Sequence, residues 1–318
     1  TGSVAFTVDL TRDGGFSGAV DMSVQSPPAG VTARFDDPIL NGLGGIATTL
    51  TLDVAVDAES GDHDITILAT PGPAPAGGAT PAPVEVHVTL IIDHDGPIIE
   101  GPWASYEMGG TLSSGSAPLR LSWDGSDAGS GLNEYRLLYA KNGAQWLTVV
   151  LSDPLATTAV RTIQFNGQYD FLVHATDRAG NESDAHLAPA QRLPVSRITQ
   201  STDTGVAVSP GWTVGSTTDA SGYSLHRSKI AGSSISYTFV GMAIGWVAPV
   251  GPSKGTAKVF VDGESQGVIS LVATAKHDRR VVFSKGWTTM GTHTIRIIVR
   301  GGASAKQVGV DAFVFLGD

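Results

Sequence analysis

Residues 84–92 read Val-Glu-Val-His-Val-Thr-Leu-Ile-Ile, with Val84, Val86, Val88, Leu90 and Ile92 on every second position. Successive side chains of an extended strand point to opposite faces, so this spacing lays the apolar groups on one side and Glu85, His87 and Thr89 on the other. The same period of two runs through everything before it. It recurs in Val4, Phe6, Val8 and Leu10, in Val20, Met22 and Val24, and in Val31, Ala33 and Phe35. It returns in Leu50, Leu52, Val54 and Val56, and again in Ile65, Ile67 and Ala69. Turn formers separate the runs: Asp13-Gly14-Gly15, Pro27-Pro28-Ala29-Gly30, Asn41-Gly42 and Ser60-Gly61-Asp62. The Pro/Ala/Gly tract at residues 71–83 parts two strands of one pattern and reads as a long hairpin loop. Half-buried strands at this spacing predict two antiparallel sheets packed face to face.

The pattern continues after Asp95-Gly96-Pro97, an extended joint, with Leu119, Leu121 and Trp123, with Tyr135, Leu137 and Tyr139, with Thr148 and Val150, and with Tyr169, Phe171, Val173 and Ala175. A third series follows the stretch LAPAQRLP, near Leu193: Ile235, Tyr237 and Phe239; Ile244 and Trp246; Val259 and Val261; Val281 and Phe283; His293, Ile295, Ile297 and Val299; Phe313 and Phe315. No segment sustains a helical period. The expected fold is therefore all-β, in three consecutive β-sandwich modules at residues 1–94, 95–192 and 193–318.

Composition agrees. Charged residues make up 16% of the chain, against about 25% in an average soluble protein, and 40 of its 318 residues are glycine. With no cysteine, disulfides, thiolate metal sites and cysteine nucleophiles are excluded. The longest nearly uncharged apolar stretch, Phe239 to Gly251, has 13 residues, too few to cross a bilayer as a helix. Charge is uneven. Residues 1–94 hold 12 acids and 2 bases, residues 95–192 hold 11 and 6, and residues 193–318 hold 7 and 12. A basic third block favours an anionic surface or polymer near its own end.

Particular phrases carry resemblances. FSGAVDMSV, PAGVTARF and SGDHDITI resemble bacterial immunoglobulin-like modules. DHDGP, SDAGSGLNEYRL, NGAQWLTV and YDFLVHATDRAGNES are similar to a fibronectin type III-like or related immunoglobulin-like repeat. SISYTFVGMAIGWVAPVGPSKGTAKVFVDGE, VVFSKGWTTMGTHTIRIIV and VGVDAFVF resemble C-terminal β-sandwiches of galactose-binding-like (carbohydrate-binding-module) type on secreted bacterial proteins. The resemblances imply an extracellular or cell-surface setting, with two spacer modules and a terminal module for carbohydrate.

No GxSxG, HExxH or GxxxxGK[ST] occurs in the chain, and modules of this size leave little room for a deep cleft. The expectation is a segment without catalysis and without a cofactor. The binding reading rests on aromatic rings, which stack on sugar faces, and on Arg and His, which hold hydroxyls. Its residues are Tyr223, His226, Trp287, His277, Arg279 and Arg280. Tyr223, Trp287 and the loop Lys276-His277-Asp278-Arg279-Arg280 read equally well as packing, while Trp212 and Trp246 read as core. The expected partner is carbohydrate, an acidic polysaccharide in particular. Nucleic acid and membrane insertion are not expected. In the rival reading, an adhesion stalk, surface layer or filament, the partners are neighbouring copies of the chain.

Asp-rich turns raise calcium, which takes six to eight oxygens. Asp124, Asp127 and Asp177 flank strands of the second block, and Asp93 and Asp95 lie at the joint before it. DGSDAGSGLNEY fails the EF-hand spacing, with Ala128 at the fifth position and Tyr135 at the twelfth. Asp in turns more often accepts from backbone amides nearby, so the turn reading is preferred and structural calcium is its alternative. Asn181-Glu182-Ser183 is a formal glycosylation sequon that reads as part of a structural turn.

Overall fold

The computed structural model describes residues 2–12, 16–42, 46–74, 78–184, 190–300 and 306–317. The expected turn Asp13-Gly14-Gly15 and the start of the second joint, Leu187 to Pro189, lie outside these. Among the described residues none is helical and every regular element is a strand, so the all-β reading holds. The chain packs as two compact units. One comprises Thr1–Pro97, Asp127–Leu132 and Asp177–Asn181; the other comprises Ile98–Ser126, Asn133–Thr176 and Glu182–Asp318.

The first unit contains β1 (Gly2–Leu10), β2 (Val20–Gln25), β3 (Val31–Phe35), β4 (Ile39–Leu40), β5 (Ile46–Val54), β6 (Gly61–Pro71) and β7 (Val84–Ile92). They form antiparallel sheets in the orders β1-β5-β3 and β4-β2-β6-β7. The inward positions read from the two-residue period meet in the middle: Leu50, Leu52, Ile65 and Ile67 are buried together with Val20, Met22 and Val31. Full burial of such a side chain contributes about 1.5–3 kcal/mol. The hairpin across the Pro/Ala/Gly tract is real, pairing Ala69 with Val84 and Gly61 with Ile92. Its second strand is an edge strand, however. Val84 and Val86 are 58% and 52% exposed, and the apolar face of β7 is buried only at Ile92. Gly30, at φ +80°, closes the turn before β3, and a Cβ there would stand 2.9 Å from that of Ala58.

The second unit begins with β8 (Ile98–Tyr106), β9 (Ser116–Ser126), β10 (Leu132–Lys141), β11 (Leu147–Val149), β12 (Thr158–Gln164), β13 (Tyr169–Asp177) and β14 (Gln191–Leu193). It continues with β15 (Ser196–Gln200), β16 (Val206–Val208), β17 (Thr213–Ser216), β18 (Ser224–Ser228), β19 (Ser234–Val250), β20 (Thr256–Val261), β21 (Glu264–Ser270), β22 (His277–Arg300), β23 (Val308–Val310) and β24 (Ala312–Gly317). Sheets β12-β9-β8 and β11-β10-β13-β14 enclose Trp123, Leu119, Leu121, Leu137, Phe171 and Val173, all buried. The larger sheet runs β15-β24-β19-β22-β20-β21, and β17-β18-β23 forms a smaller one. Ile235, Trp246, Val259, Ile295, Ile297 and Phe313 lie in the core of this part.

Pairs of short runs in the sequence turn out to be single strands. Ile235 to Trp246 belongs to the 17-residue β19, and Val281 to Val299 to the 24-residue β22. Register shifts beside Gly241 break the period inside their pairing, so each strand reads as two. The stretches on either side of Leu193 pack as one unit. Tyr106 of β8 is buried, its hydroxyl 2.9 Å from Ser196 Oγ and its amide donating to Ser284 Oγ at 2.8 Å. Gly109 N–H donates to the Val281 carbonyl and Leu112 N–H to that of Arg279.

This packing needs a bare backbone at Gly286, where a Cβ would stand 2.5 Å from the Ala104 carbonyl oxygen. Gly286→Ala is expected to destabilise the unit by about 1–3 kcal/mol, as overpacking does. That corresponds to a melting temperature lower by roughly 2–4 °C per kcal/mol in a domain of this size. A thermal melt of the variant checks it.

Candidate functional site

A cleft of about 240 Å³ opens in the second unit where the turn between β17 and β18 meets the end of β19 and the start of β22. Its floor is Asp311, between β23 and β24, with only 1% of its surface exposed. The Ser221 amide donates to both of its oxygens, at 3.0 and 3.1 Å, which ties the β17–β18 turn to the core. Burial pushes the Asp311 carboxyl up to about 6; the Ser221 hydrogen bond and the nearby Arg279 charge oppose the shift only in part.

The walls are charged. On one rim Lys276 bridges Asp219, at 2.7 Å, and Asp278, at 3.1 Å. The Lys276 hydrogen bond lowers the Asp219 carboxyl, and the same contact raises the lysine. Lys254 is half-buried and 3.3 Å from Gln307 Oε1. Burial, with the neighbouring positive charge of Arg227, pulls its ammonium below the ordinary lysine value. Arg227 reaches the cleft from β18, its guanidinium lying over Gly215, where a Cβ would come within 2.9 Å of Cζ. Arg279 holds a left-handed backbone, φ +54°, a conformation that costs a non-glycine residue on the order of 1 kcal/mol. Thr217 and Gln307 add neutral polar groups to the lining, and Ala220, Leu225 and Pro249 its apolar share.

Of the six residues named from sequence, only Arg279 lines this cleft. His226 and Arg227 are neighbours on β18, so their side chains take opposite faces. His226 sits edge-on to Trp212 and 3.3 Å from Ser201 Oγ, with its pKa lowered by burial. Trp287 stacks on His293 at 3.7 Å and packs on Phe239. Arg280 donates to Thr111 Oγ1 at 2.8 Å. Tyr223 is 71% exposed and His277 is exposed at the start of β22. Of these, His226 and Trp287 pack against other aromatic rings, and Tyr223 and His277 are exposed outside the cleft lining. Sequence reasoning missed Arg227, Lys254, Asp219 and Asp311. Only Arg227 carried a local signal, standing beside His226 in a strand that begins at a turn.

In the first unit, carboxylate oxygens of Asp93, Asp127 and Asp177 lie within 4.8 Å of one another. Asp124 does not join them; it is exposed in β9, paired with Glu100. Asp177 is buried and accepts from Asn181 N and Nδ2, both at 2.8 Å. Asp93 accepts from Asp95 N and Ser130 N, and Asp127 from Gly131 N. Asn181 Nδ2 also contacts the Asp93 and Asp95 carbonyls, so the sequon asparagine is a structural part of the turn. Each carboxylate thus braces a loop, and no Lys or Arg pairs with any of the three among the described residues. The donor set suits a hard, oxygen-seeking cation. A groove of about 690 Å³ in the same unit is lined by apolar Phe6, Leu52, Val54, Val88 and Leu90 and by polar Asp93, His94, Arg178 and Asn181.

No family model matches the chain. Over 87 residues, 27% of its length, the chain is 32% identical to the A type blood N-acetyl-alpha-D-galactosamine deacetylase of Flavonifractor plautii. The match spans 11% of that enzyme, about a tenth of its length. Among solved structures the chain is similar to the Agl-KA catalytic domain, at 17% identity and TM-score 0.28, over 40% of this chain and 28% of that one. It is also similar to a Paenibacillus xanthan lyase, at 9% identity and TM-score 0.31, over 100% of this chain and 38% of that one. These structural neighbours are carbohydrate-active proteins, but at such TM-scores the likeness carries no argument. The expectation of a segment without catalysis is corrected by the deacetylase match, since the curated relative is an enzyme. Local sequence motifs do not reveal catalytic groups that meet only in space.

The raised Asp311 carboxyl has a consequence for stability. It binds its proton more tightly in the folded than in the unfolded chain, so its contribution is complete below the ordinary value of 3.8 and lost as pH rises through about 6. The fold therefore gains from this residue on going from about pH 7 to about pH 5, by on the order of 1 kcal/mol. Asp311→Asn keeps the shape and should remove that gain, read as the difference between wild-type and variant melting curves at the two pH values.

Proposed function

We propose that this chain is a carbohydrate-binding part of a carbohydrate-active enzyme, and that the cleft over Asp311 holds the sugar. The observation that carries the reading is the lining: nine of its twelve residues bear side-chain donors or acceptors. A sugar ring presents alternating hydroxyls, which carboxylates accept from while Arg, Lys and Gln donate to them. The volume, about 240 Å³, falls below the roughly 300–1,000 Å³ of sites for drug-sized ligands and suits one ring of a longer glycan. The relationship to a deacetylase named for N-acetyl-galactosamine supports the same class of ligand. The extracellular setting belongs to this proposal, as does the division into three sandwiches at residues 94 and 192, the latter two of which pack within one compact unit.

A shallow polar site should bind weakly, with a Kd between about 1 mM and about 1 μM, and several copies side by side would supply tight attachment. The full chain on a glycan array should show reproducible binding that Lys276→Ala with Gln307→Ala removes while the melting temperature is kept. Binding that survives the double change would place the site elsewhere. Absence of glycan binding together with ordered filaments in negative stain would favour the self-assembling alternative.

We also propose that calcium occupies the Asp93, Asp127 and Asp177 cluster. What favours it is the gathering of three carboxylates, one fully buried, with no basic partner among the described residues. Free calcium at about a hundred times its Kd would add roughly 2.7 kcal/mol to stability. The melting temperature should thus fall by several degrees on chelation at constant ionic strength, and Asp127→Asn should remove most of the difference. Identical melts with calcium and with chelator would mean that the loops are braced by hydrogen bonds alone.

A further inference from the structure

Among the described residues, three of the four basic groups in the cleft have no counter-charge at bonding distance, and two of them have no hydrogen-bond acceptor either. Lys276 is spent on Asp219 and Asp278, and Lys254 on the amide of Gln307. Arg227 and Arg279 line the same cleft, and among the described residues neither guanidinium has a hydrogen bond or an ion pair. Both are half-buried, so their hydration is already curtailed. A guanidinium offers a planar fork that matches the paired oxygens of a carboxylate or sulfate. Two such forks facing a cavity with one buried carboxylate at its floor make a site with two tasks. The guanidiniums meet a negative group, and Asp311 accepts from a hydroxyl.

We propose that the cleft recognises a sugar ring carrying an oxyanion, with Arg227 and Arg279 clamping the anion and Asp311 accepting from a ring hydroxyl. This rests on the glycan-binding reading above and names its ligand class. The strain at Arg279 supports it. A left-handed arginine whose own carbonyl accepts from Leu112 N–H is held in place by the backbone, so the side chain is aimed into the cleft at a cost the fold already bears. The apolar share of the lining, Leu225, Ala220 and Pro249, offers the ring a small non-polar patch but no aromatic face, so charge and hydrogen bonds must supply most of the affinity.

Titration calorimetry of the full chain tests this with three probes: a short oligogalacturonate, its carboxyl-reduced neutral counterpart and a sulfated oligosaccharide. The acidic probes should bind at least about tenfold more tightly than the neutral one, the equivalent of one charge-assisted hydrogen bond. That margin should narrow between about 50 and about 300 mM salt as screening shortens. Arg227→Gln and Arg279→Gln should each lower affinity for the acidic probe about tenfold and leave the neutral probe nearly unchanged. Arg300→Gln, an exposed change outside the cleft, should alter neither. The uronate and sulfate arms show which oxyanion is preferred. Equal binding of neutral and acidic probes, both lost in Lys276→Ala with Gln307→Ala, would overturn the oxyanion proposal and leave the glycan reading standing. Acidic binding that ignores both arginine changes would overturn the clamp. Failure of all three probes would overturn both.

Discussion

The long antiparallel pairing of β19 with β22 is the constraint on which the second unit is built. From Gly241 to Pro249 the strand β19 is buried on both faces, flanked by β22 on one side and β24 on the other. A strand covered on both faces must be apolar or small at every position, and Gly-Met-Ala-Ile-Gly-Trp-Val-Ala-Pro meets that demand. Glycine at 245 and 286 lets the backbone of β8 and Tyr106 approach this ladder closely.

The same ladder creates the cleft. At one end β19 stops at Val250 and β22 begins at His277, so the two strands leave their turns, Lys254 and Lys276 with them, above the β23–β24 junction. Asp311 occupies that junction, its amide held by the Val247 carbonyl and its carbonyl taken by Ser201 N–H. A carboxylate fixed by core strands on one side and by Ser221 on the other is held in place, and burial raises its pKa to about 6, so that it is half protonated there. Preorganised acceptors of this kind lose little entropy when a ligand hydroxyl arrives. The basic residues around it come from elements far apart in the chain, which is why the excess of bases over acids in residues 193–318 was visible in sequence while its focus was not.

The first unit shows how edges differ from centres. β2, β5 and β6 have neighbours on both sides and bury their periodic residues, whereas β1 and β7 lie at sheet edges and leave Val4, Val84 and Val86 in solvent. Their alternation is as regular as that of the central strands. Identical periods therefore gave correct strands but overstated burial at both ends of the unit.

The sequence by itself determined the strand class, the absence of helix among the described residues, and most inward positions, because the two-residue period is local and needs no partner to be read. Short or interrupted strands escaped it. Ile39–Leu40 is too brief for a period, and Ile98–Tyr106 carries Gly101 and Pro102 in its middle. Tertiary structure alone decided which charges meet. His226 and Arg227 are adjacent in the chain, yet only Arg227 faces the cleft, since alternation sends neighbours to opposite sides of a strand. Trp287 had equal claims as binder or packing residue until His293 and Phe239 were found against it. Asp93 joined Asp127 and Asp177 in place of Asp124 because a β-strand, β9, holds Asp124 in solvent. Such sites are set by distances across strands, and a linear pattern records only distances along them.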